Sequence, residues 1–304
     1  MIPESVVSET TDSGIKISGS YDLSNESDGS TDPSGLTLTF TDGSKLDLIE
    51  AGSAYGTHLA SVPGATGEQS VAAATQNSAP TGLTYASAAD AVGFEWHSAA
   101  DFAGVGGLKA GISASINDDG STSATTHTTE NSYSVGLSYV TTAGDTTVTV
   151  GGGFVQASST NTASGLDNSS TMVAISAVTG DLTVGVGYAG GSYVRANTMS
   201  GTTAGASAGD VDDVSVLTAG AKYVSGDMTF ALGVADGEGT DATLGSQASG
   251  SADSYNKIAA SVDYVVAPGV TATFGWSDST TEDEGSETAA NSGTSWYIGA
   301  NVSF

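Results

Sequence analysis

Three histidines, His58, His97 and His127, are the residues in this chain best suited to acid–base or metal chemistry. No two of them stand at a metal-ligand spacing, so each reads as solitary and the set predicts no zinc site. There is no Cys, which removes thiolate ligands, a cysteine nucleophile and any disulfide framework. Gly185-Val186-Gly187-Tyr188-Ala189-Gly190 carries the letters of a dinucleotide fingerprint, but it falls in a strand pattern with no helix after it and reads as coincidence. No Gly-x-Ser-x-Gly elbow or phosphate-binding loop is present, and no nucleophile–base set can be nominated at one rim, so no enzyme is predicted. The carboxylates remain. Asp118 and Asp119, with Asp278, Glu282, Asp283, Glu284 and Glu287, could hold Ca²⁺ or Mg²⁺ loosely through oxygen ligands. Solvated external loops are the favoured reading of both runs, and no other cofactor is implied.

The elements that must carry these residues are strands. In 304 residues there are 42 Gly, abundant Ser and Thr, and a hydrophobic fraction of 38%. No stretch approaches the roughly 18 consecutive apolar residues of a spanning helix, which excludes a helical membrane protein. Six basic residues face 34 acidic ones, a formal charge of -28. Such a chain repels nucleic-acid phosphates and anionic headgroups. Disorder, the plain reading of an acidic Ser/Gly-rich chain, is confined to loops by three Trp, eleven Tyr and seven Phe in patterned positions.

That pattern has period two. Trp296, Ile298, Ala300, Val302 and Phe304 fall on one face of 295–304, and Tyr297, Gly299, Asn301 and Ser303 on the other. Leu182, Val184, Val186 and Tyr188 repeat the reading, as do Met228, Phe230, Leu232 and Val234. Strands are predicted over 14–23, 35–41, 45–50, 92–98, 107–116, 132–141, 146–157, 171–178, 182–190, 213–224, 228–236, 255–266, 270–279 and 295–304. In 171–178 the alternation does not settle which face is apolar.

Connection lengths narrow the architecture. Short Gly/Asp turns at 42–44, 142–145, 179–181, 225–227 and 267–269 alternate with long polar connections at about 24–34, 117–131, 158–170, 191–212, 237–254 and 280–294. A transmembrane antiparallel β-barrel with tight turns on one side and long loops on the other has this rhythm. All five lysines, Lys16, Lys45, Lys109, Lys222 and Lys257, fall on the polar face of a strand, as do Glu95, His97 and Asp263. A water-filled lumen accepts charge there, although the polar face of a soluble sandwich would as well.

Residues 5–11 read as the end of a further strand before the turn Asp12-Ser13-Gly14, giving 14 to 15 strands. A closed barrel that begins and ends on one side needs an even number. The expectation is therefore sixteen strands in a complete molecule, with a signal peptide and the first one to two strands upstream of Met1. The whole chain, 1–304, is expected to form one outer-membrane domain.

The turn Thr10-Thr11-Asp12-Ser13-Gly14 leads into Ile15-Lys16-Ile17-Ser18-Gly19-Ser20-Tyr21, the hairpin 36–49 precedes a long loop, and the last strand closes on Phe304. On these features the chain resembles a Gram-negative general diffusion porin of the alphaproteobacterial type. The resemblance implies a sixteen-stranded barrel, usually a homotrimer, that passes ions and small hydrophilic solutes through the outer membrane. It makes the loop at 51–91 the counterpart of a segment that folds into the pore and narrows it. By position, Glu50, His58, Glu68 and Asp90 would then lie near the constriction, facing lumenal Lys45, Lys109 or Glu95, with Asp47, His97, Lys222, Lys257 and Asp263 as further expected pore residues. The arginine cluster usual on such walls is missing, since Arg195 is the only arginine and falls in or near an external loop. The charge balance favours cations. Trp296, Ile298, Val302 and Phe304 resemble the assembly signal read by the outer-membrane insertion machinery. Outer-membrane lipid and lipopolysaccharide, the latter bridged by Ca²⁺ or Mg²⁺, are the remaining expected partners. An all-β structural or adhesive surface protein without channel activity is the competing reading.

Overall fold

A computed structural model describes residues 5–21, 33–48, 54–65, 92–116, 129–159, 167–193, 212–241, 252–282 and 291–303. Among the described residues, fifteen antiparallel strands follow one another in chain order through one sheet. They are β1 (Ser5–Thr10), β2 (Lys16–Tyr21), β3 (Pro33–Thr39), β4 (Lys45–Leu48), β5 (Val92–His97), β6 (Leu108–Ile116), β7 (Thr129–Ala143), β8 (Thr146–Ser159), β9 (Asp167–Thr179), β10 (Leu182–Tyr193), β11 (Asp212–Ser225), β12 (Met228–Asp241), β13 (Ala252–Ala267), β14 (Val270–Glu282) and β15 (Asn291–Val302). One short helix, α1 (Ala54–Thr57), lies between β4 and β5. Contacts divide the chain into two compact units, one of Met1–Leu59, Tyr85–Tyr139 and Gly151–Ser169, the other of Ala60–Thr84, Val140–Val150 and Ser170–Phe304.

In the second unit the period-two pattern becomes two continuous rows. Leu182, Tyr223, Phe230, Val262, Phe274 and Ile298 are successive register partners across β10 to β15. Ile298 is 85% exposed, and Leu182, Tyr223, Phe230 and Phe274 all lie on the exposed side. One residue along, Thr183, Lys222, Ala231, Ser261, Gly275 and Tyr297 form the opposite row. Here Ala231 and Ser261 are buried. The second unit is therefore apolar on its exposed face and polar on the other, the inverse of a protein that folds in water, where an exposed apolar band of this extent would drive aggregation. Hydrocarbon is the solvent that suits the outer face.

The ambiguous strand, β9, resolves the same way. Val173 and Ile175 are exposed, while Met172 and Ala174 are buried. Both parities are apolar because the inner one meets another apolar residue: Val62 Cγ2 and Ala174 Cβ both crowd the same space above Gly187.

The tight turns are set by backbone handedness. Gly180 and Gly226, with φ of 54° and 58°, each precede an Asp in a two-residue turn between strands. A left-handed glycine at the first turn position matches the twist of the flanking strands. The β5–β6 connection is longer, and its 3-10 turn Phe102–Gly104 is followed by Gly107, whose N–H donates to Asp101 Oδ1 at 2.7 Å.

Candidate functional site

Five strands of the first unit, β3 to β7, build a polar wall from two rows of register partners. One row runs Thr37, Asp47, Glu95, Ser113 and Ser134; the next runs Thr39, Lys45, His97, Gly111 and Gly136. Residues two apart on a strand share a face, so Glu95 and His97 necessarily point the same way. Helix α1 and the residues after it lie against this wall. Ser113 Oγ accepts from the Ala54 N–H at 3.2 Å and Ser134 Oγ from the Tyr55 N–H at 3.3 Å, satisfying amides that a helix start leaves unpaired. The two serine hydroxyls are themselves 2.7 Å apart. Ala54 and Tyr55 are buried as a result.

Wall glycines make this approach feasible. A Cβ on Gly136 would overlap the Ala54 carbonyl, and one on Gly153 would lie 2.5 Å from Tyr55 Cβ. The second unit treats the following residues in the same manner. A Cβ on Gly185 would sit 2.9 Å from Pro63 Cδ, and one on Gly220 would overlap the Pro63 carbonyl oxygen. In both units, then, wall glycines leave the space into which the described part of the 51–91 connection, residues 54–65, fits.

A chain of polar contacts ties His58 to the wall. His58 Nδ1 is 3.1 Å from Ser138 Oγ, and His58 Nε2 is 3.1 Å from His97 Nδ1. His97 Nε2 is 2.8 Å from Glu95 Oε1, which also accepts from Thr57 Oγ1 at 3.3 Å. Thr37 Oγ1 donates to Asp47 Oδ1. Burial, followed by the neighbouring His97 and Lys109, pushes the His58 imidazole below its ordinary value and favours its neutral form. Glu95 and His58 are buried at 7% and 5% exposure, values rare for such groups unless they are paired.

The expectation that each histidine stands alone is therefore corrected for two of the three. His58 and His97 meet because the 51–91 connection brings its early residues back onto β5, which sequence spacing does not reveal. His97 also joins Asp47 and Glu95, and one ligand atom from each lies within 4.8 Å of the others. Of the pore residues expected from sequence, the wall residues Lys45, Asp47, Glu95, His97 and Lys109 and the loop residue His58 fall within the first unit. Lys222, Lys257 and Asp263 lie on the inner rows of the second, where Asp263 Oδ1 accepts from Thr273 Oγ1 at 2.6 Å. Trp296, Ile298 and Val302 occupy the outer face of β15, with Trp296 against Phe274 and Trp276. Asp278 Oδ2 accepts from Thr294 Oγ1 at 2.5 Å. Glu282 ends β14. Glu50, Glu68, Asp90, Asp118, Asp119, His127, Arg195, Asp283, Glu284 and Phe304 lie outside the described residues. Sequence reasoning did not single out Ser113, Ser134, Ser138 or the wall glycines, because Ser and Gly are common throughout the chain and carry no signal by themselves.

No curated protein sequence matches this chain. The family model described as Gram-negative porin matches residues 6–284. A porin structure refined at 1.8 Å resolution is 19% identical, with a TM-score of 0.61 over 98% of this chain and 90% of that one. OmpF of Salmonella typhi, in complex with daunomycin, is 14% identical with a TM-score of 0.60, covering 98% and 88% of the two chains. The trimer form of OmpT from Vibrio cholerae is 15% identical with a TM-score of 0.56, covering 98% and 90%. Identities this low show a common fold, and the family match over most of the chain shows descent. The inverted faces, the segment laid on the inner wall and these matches together make the chain a member of the Gram-negative porin family, an integral β-barrel channel of the outer membrane.

Proposed function

We propose that this channel passes ions and small hydrophilic solutes by passive diffusion, prefers cations, and performs no catalysis. The observation that carries the reading is residues 54–65 lying on the polar wall, where a channel would be narrowed. The family fold does not fix the sign of selectivity, since one structural relative is an anion-selective porin from Comamonas acidovorans. Charge must decide it. Among inner-row side chains of the described residues, the five lysines Lys16, Lys45, Lys109, Lys222 and Lys257 outnumber Asp47, Glu95 and Asp263. The cation preference therefore rests on the net charge of -28 of the chain as a whole. Such a preference acts by raising local counter-ion concentration and weakens as salt screens it.

The test is a reversal potential across a planar bilayer under a KCl gradient, repeated at rising ionic strength. Cation-preferring conductance that fades with salt supports the reading; anion preference or an electrically silent inserted protein overturns it. The V. cholerae relative is described as a trimer, and we extend that state to this chain. Cross-linking in mild detergent checks it. Trp296, Ile298, Val302 and Phe304 are proposed as the assembly signal for the insertion machinery, with outer-membrane lipid and lipopolysaccharide as surroundings. The chain is taken to act as a single channel-forming domain that works without a cofactor.

A further inference from the structure

Glu95 and His97 share a face of β5, and Asp47 on β4 is the direct register partner of Glu95. One ligand atom from each of these three residues falls within a 4.8 Å cluster. We propose that Asp47, Glu95 and His97 form a binding site for a divalent transition-metal ion of the zinc class on the channel wall, with His58 holding His97 in position. The metal-binding arm stands on geometry alone, while its effect on transport rests on the channel reading above.

The donor set selects the ion. One imidazole and two carboxylates suit Zn²⁺ and its first-row neighbours, which take nitrogen and oxygen together. Ca²⁺ and Mg²⁺ prefer oxygen throughout and gain little from His97. The outer contacts fit as well. A metal-ligating histidine commonly donates its second ring N–H to a fixed acceptor, which sets its tautomer and orientation. Here that acceptor is His58 Nε2, 3.1 Å from His97 Nδ1, and His58 Nδ1 can in turn donate to Ser138 Oγ at 3.1 Å. With protons placed this way, His97 Nε2 presents a lone pair beside Glu95 Oε1 at 2.8 Å. Two electron-rich atoms at that separation repel unless a proton or a cation lies with them. The opposite set of tautomers supplies the proton; an incoming metal ion takes its place and leaves both rings neutral.

Two further features support the assignment. A Cβ on Gly111 would lie 2.7 Å from His58 Nε2 and 2.9 Å from His97 Nδ1, so glycine on β6 leaves room for the imidazole pair. The Thr37 hydroxyl holds the Asp47 carboxylate from the neighbouring strand. Lys45 stands opposite His97, and Lys109 is the register partner of Ser138, so the two carboxylates are offset by two ammonium groups. Affinity must therefore come from coordination geometry rather than from bulk negative charge, which separates this site from the acidic loops.

The test uses the full chain folded in detergent, with Zn²⁺ alone titrated by calorimetry and Co²⁺ followed by its visible absorption. Saturable binding of one ion per chain is expected, lost in His97→Ala and in the near-isosteric Glu95→Gln. About tenfold or greater weakening is expected in His58→Ala, the range found when outer partners of metal ligands are removed. Heat-dependent gel mobility confirms that each variant is folded, and Glu95→Gln decides the matter if His97→Ala is not. Absent binding, or binding that these substitutions leave unchanged, overturns the site. In bilayers, added Zn²⁺ should lower the conductance of the unmodified chain and spare His97→Ala. Binding without any such change would keep the site and overturn its place on the ion path, and a chain that binds Zn²⁺ yet forms no channel would count against the channel reading alone.

Discussion

His58 Nε2 and His97 Nδ1 lie 3.1 Å apart, and through this pair the inward segment is fastened to β5. His58→Ala removes that contact and the one to Ser138, and it opens buried space. A loss of about 1–3 kcal/mol is expected, the cost of hydrogen bonds broken at a buried polar site. Open-channel recordings should also become noisier as the segment loosens. A thermal transition and current noise equal to those of the unmodified chain would refute the fastening role.

Gly220→Ala should act on the same segment from the second unit. The added methyl would overlap the Pro63 carbonyl, so the segment must move or the strand must bend. Overpacking of this kind costs about 1–3 kcal/mol. Protease cleavage near residues 62–65 in the folded channel is expected to speed up. Gly226→Ala, placed in a turn with nothing within 4 Å of its Cβ position, should destabilise through its φ of 58° without raising cleavage there.

The two faces predict opposite responses to charge. Leu232 is 45% exposed on the apolar row, and Leu232→Arg at mid-depth should cost about 2–4 kcal/mol and impair folding into vesicles. Thr229→Lys on the inner row stands opposite Asp263 and should be tolerated. Folding yields in lipid vesicles, read by heat-dependent gel mobility, distinguish the pair. Equal yields would reverse or erase the assignment of faces.

Asp42, in the β3–β4 turn, accepts from the Ser44 N–H at 2.9 Å and the Ser44 hydroxyl at 2.7 Å. These bonds, the hydroxyl first, hold its carboxyl below the ordinary value of 3.8. A depressed folded-state value means the stabilisation is present above pH 3.8 and disappears as pH falls through the folded value. Asp42→Asn should therefore lower the denaturant midpoint slightly at neutral pH and match the unmodified chain in strong acid. A difference that grows on acidification would contradict the sign.

The fold was readable because its signal repeats. A strand that faces hydrocarbon on one side and water on the other must alternate, and Leu182 to Tyr188 or Met228 to Val234 shows the rule in a few residues. The tight turns were equally plain from Gly-Asp pairs. The site was not readable, because Asp47 and Glu95 are neighbours only through the register of β4 and β5, across the connection from 49 to 91. His58 meets His97 only because that connection returns to the wall. Even β9 hid its orientation, since Met172 and Ala174 are both buried, Ala174 beside the apolar Val62 rather than water.

Glycine under the inward segment has an evolutionary corollary. No side chain is smaller, so drift at Gly136, Gly153, Gly185 or Gly220 runs in one direction, toward added bulk. On the proposed channel reading, substitution at these four positions cannot widen the passage beneath the segment. A wider one requires changes within residues 54–65 themselves, whereas a narrower one has many routes.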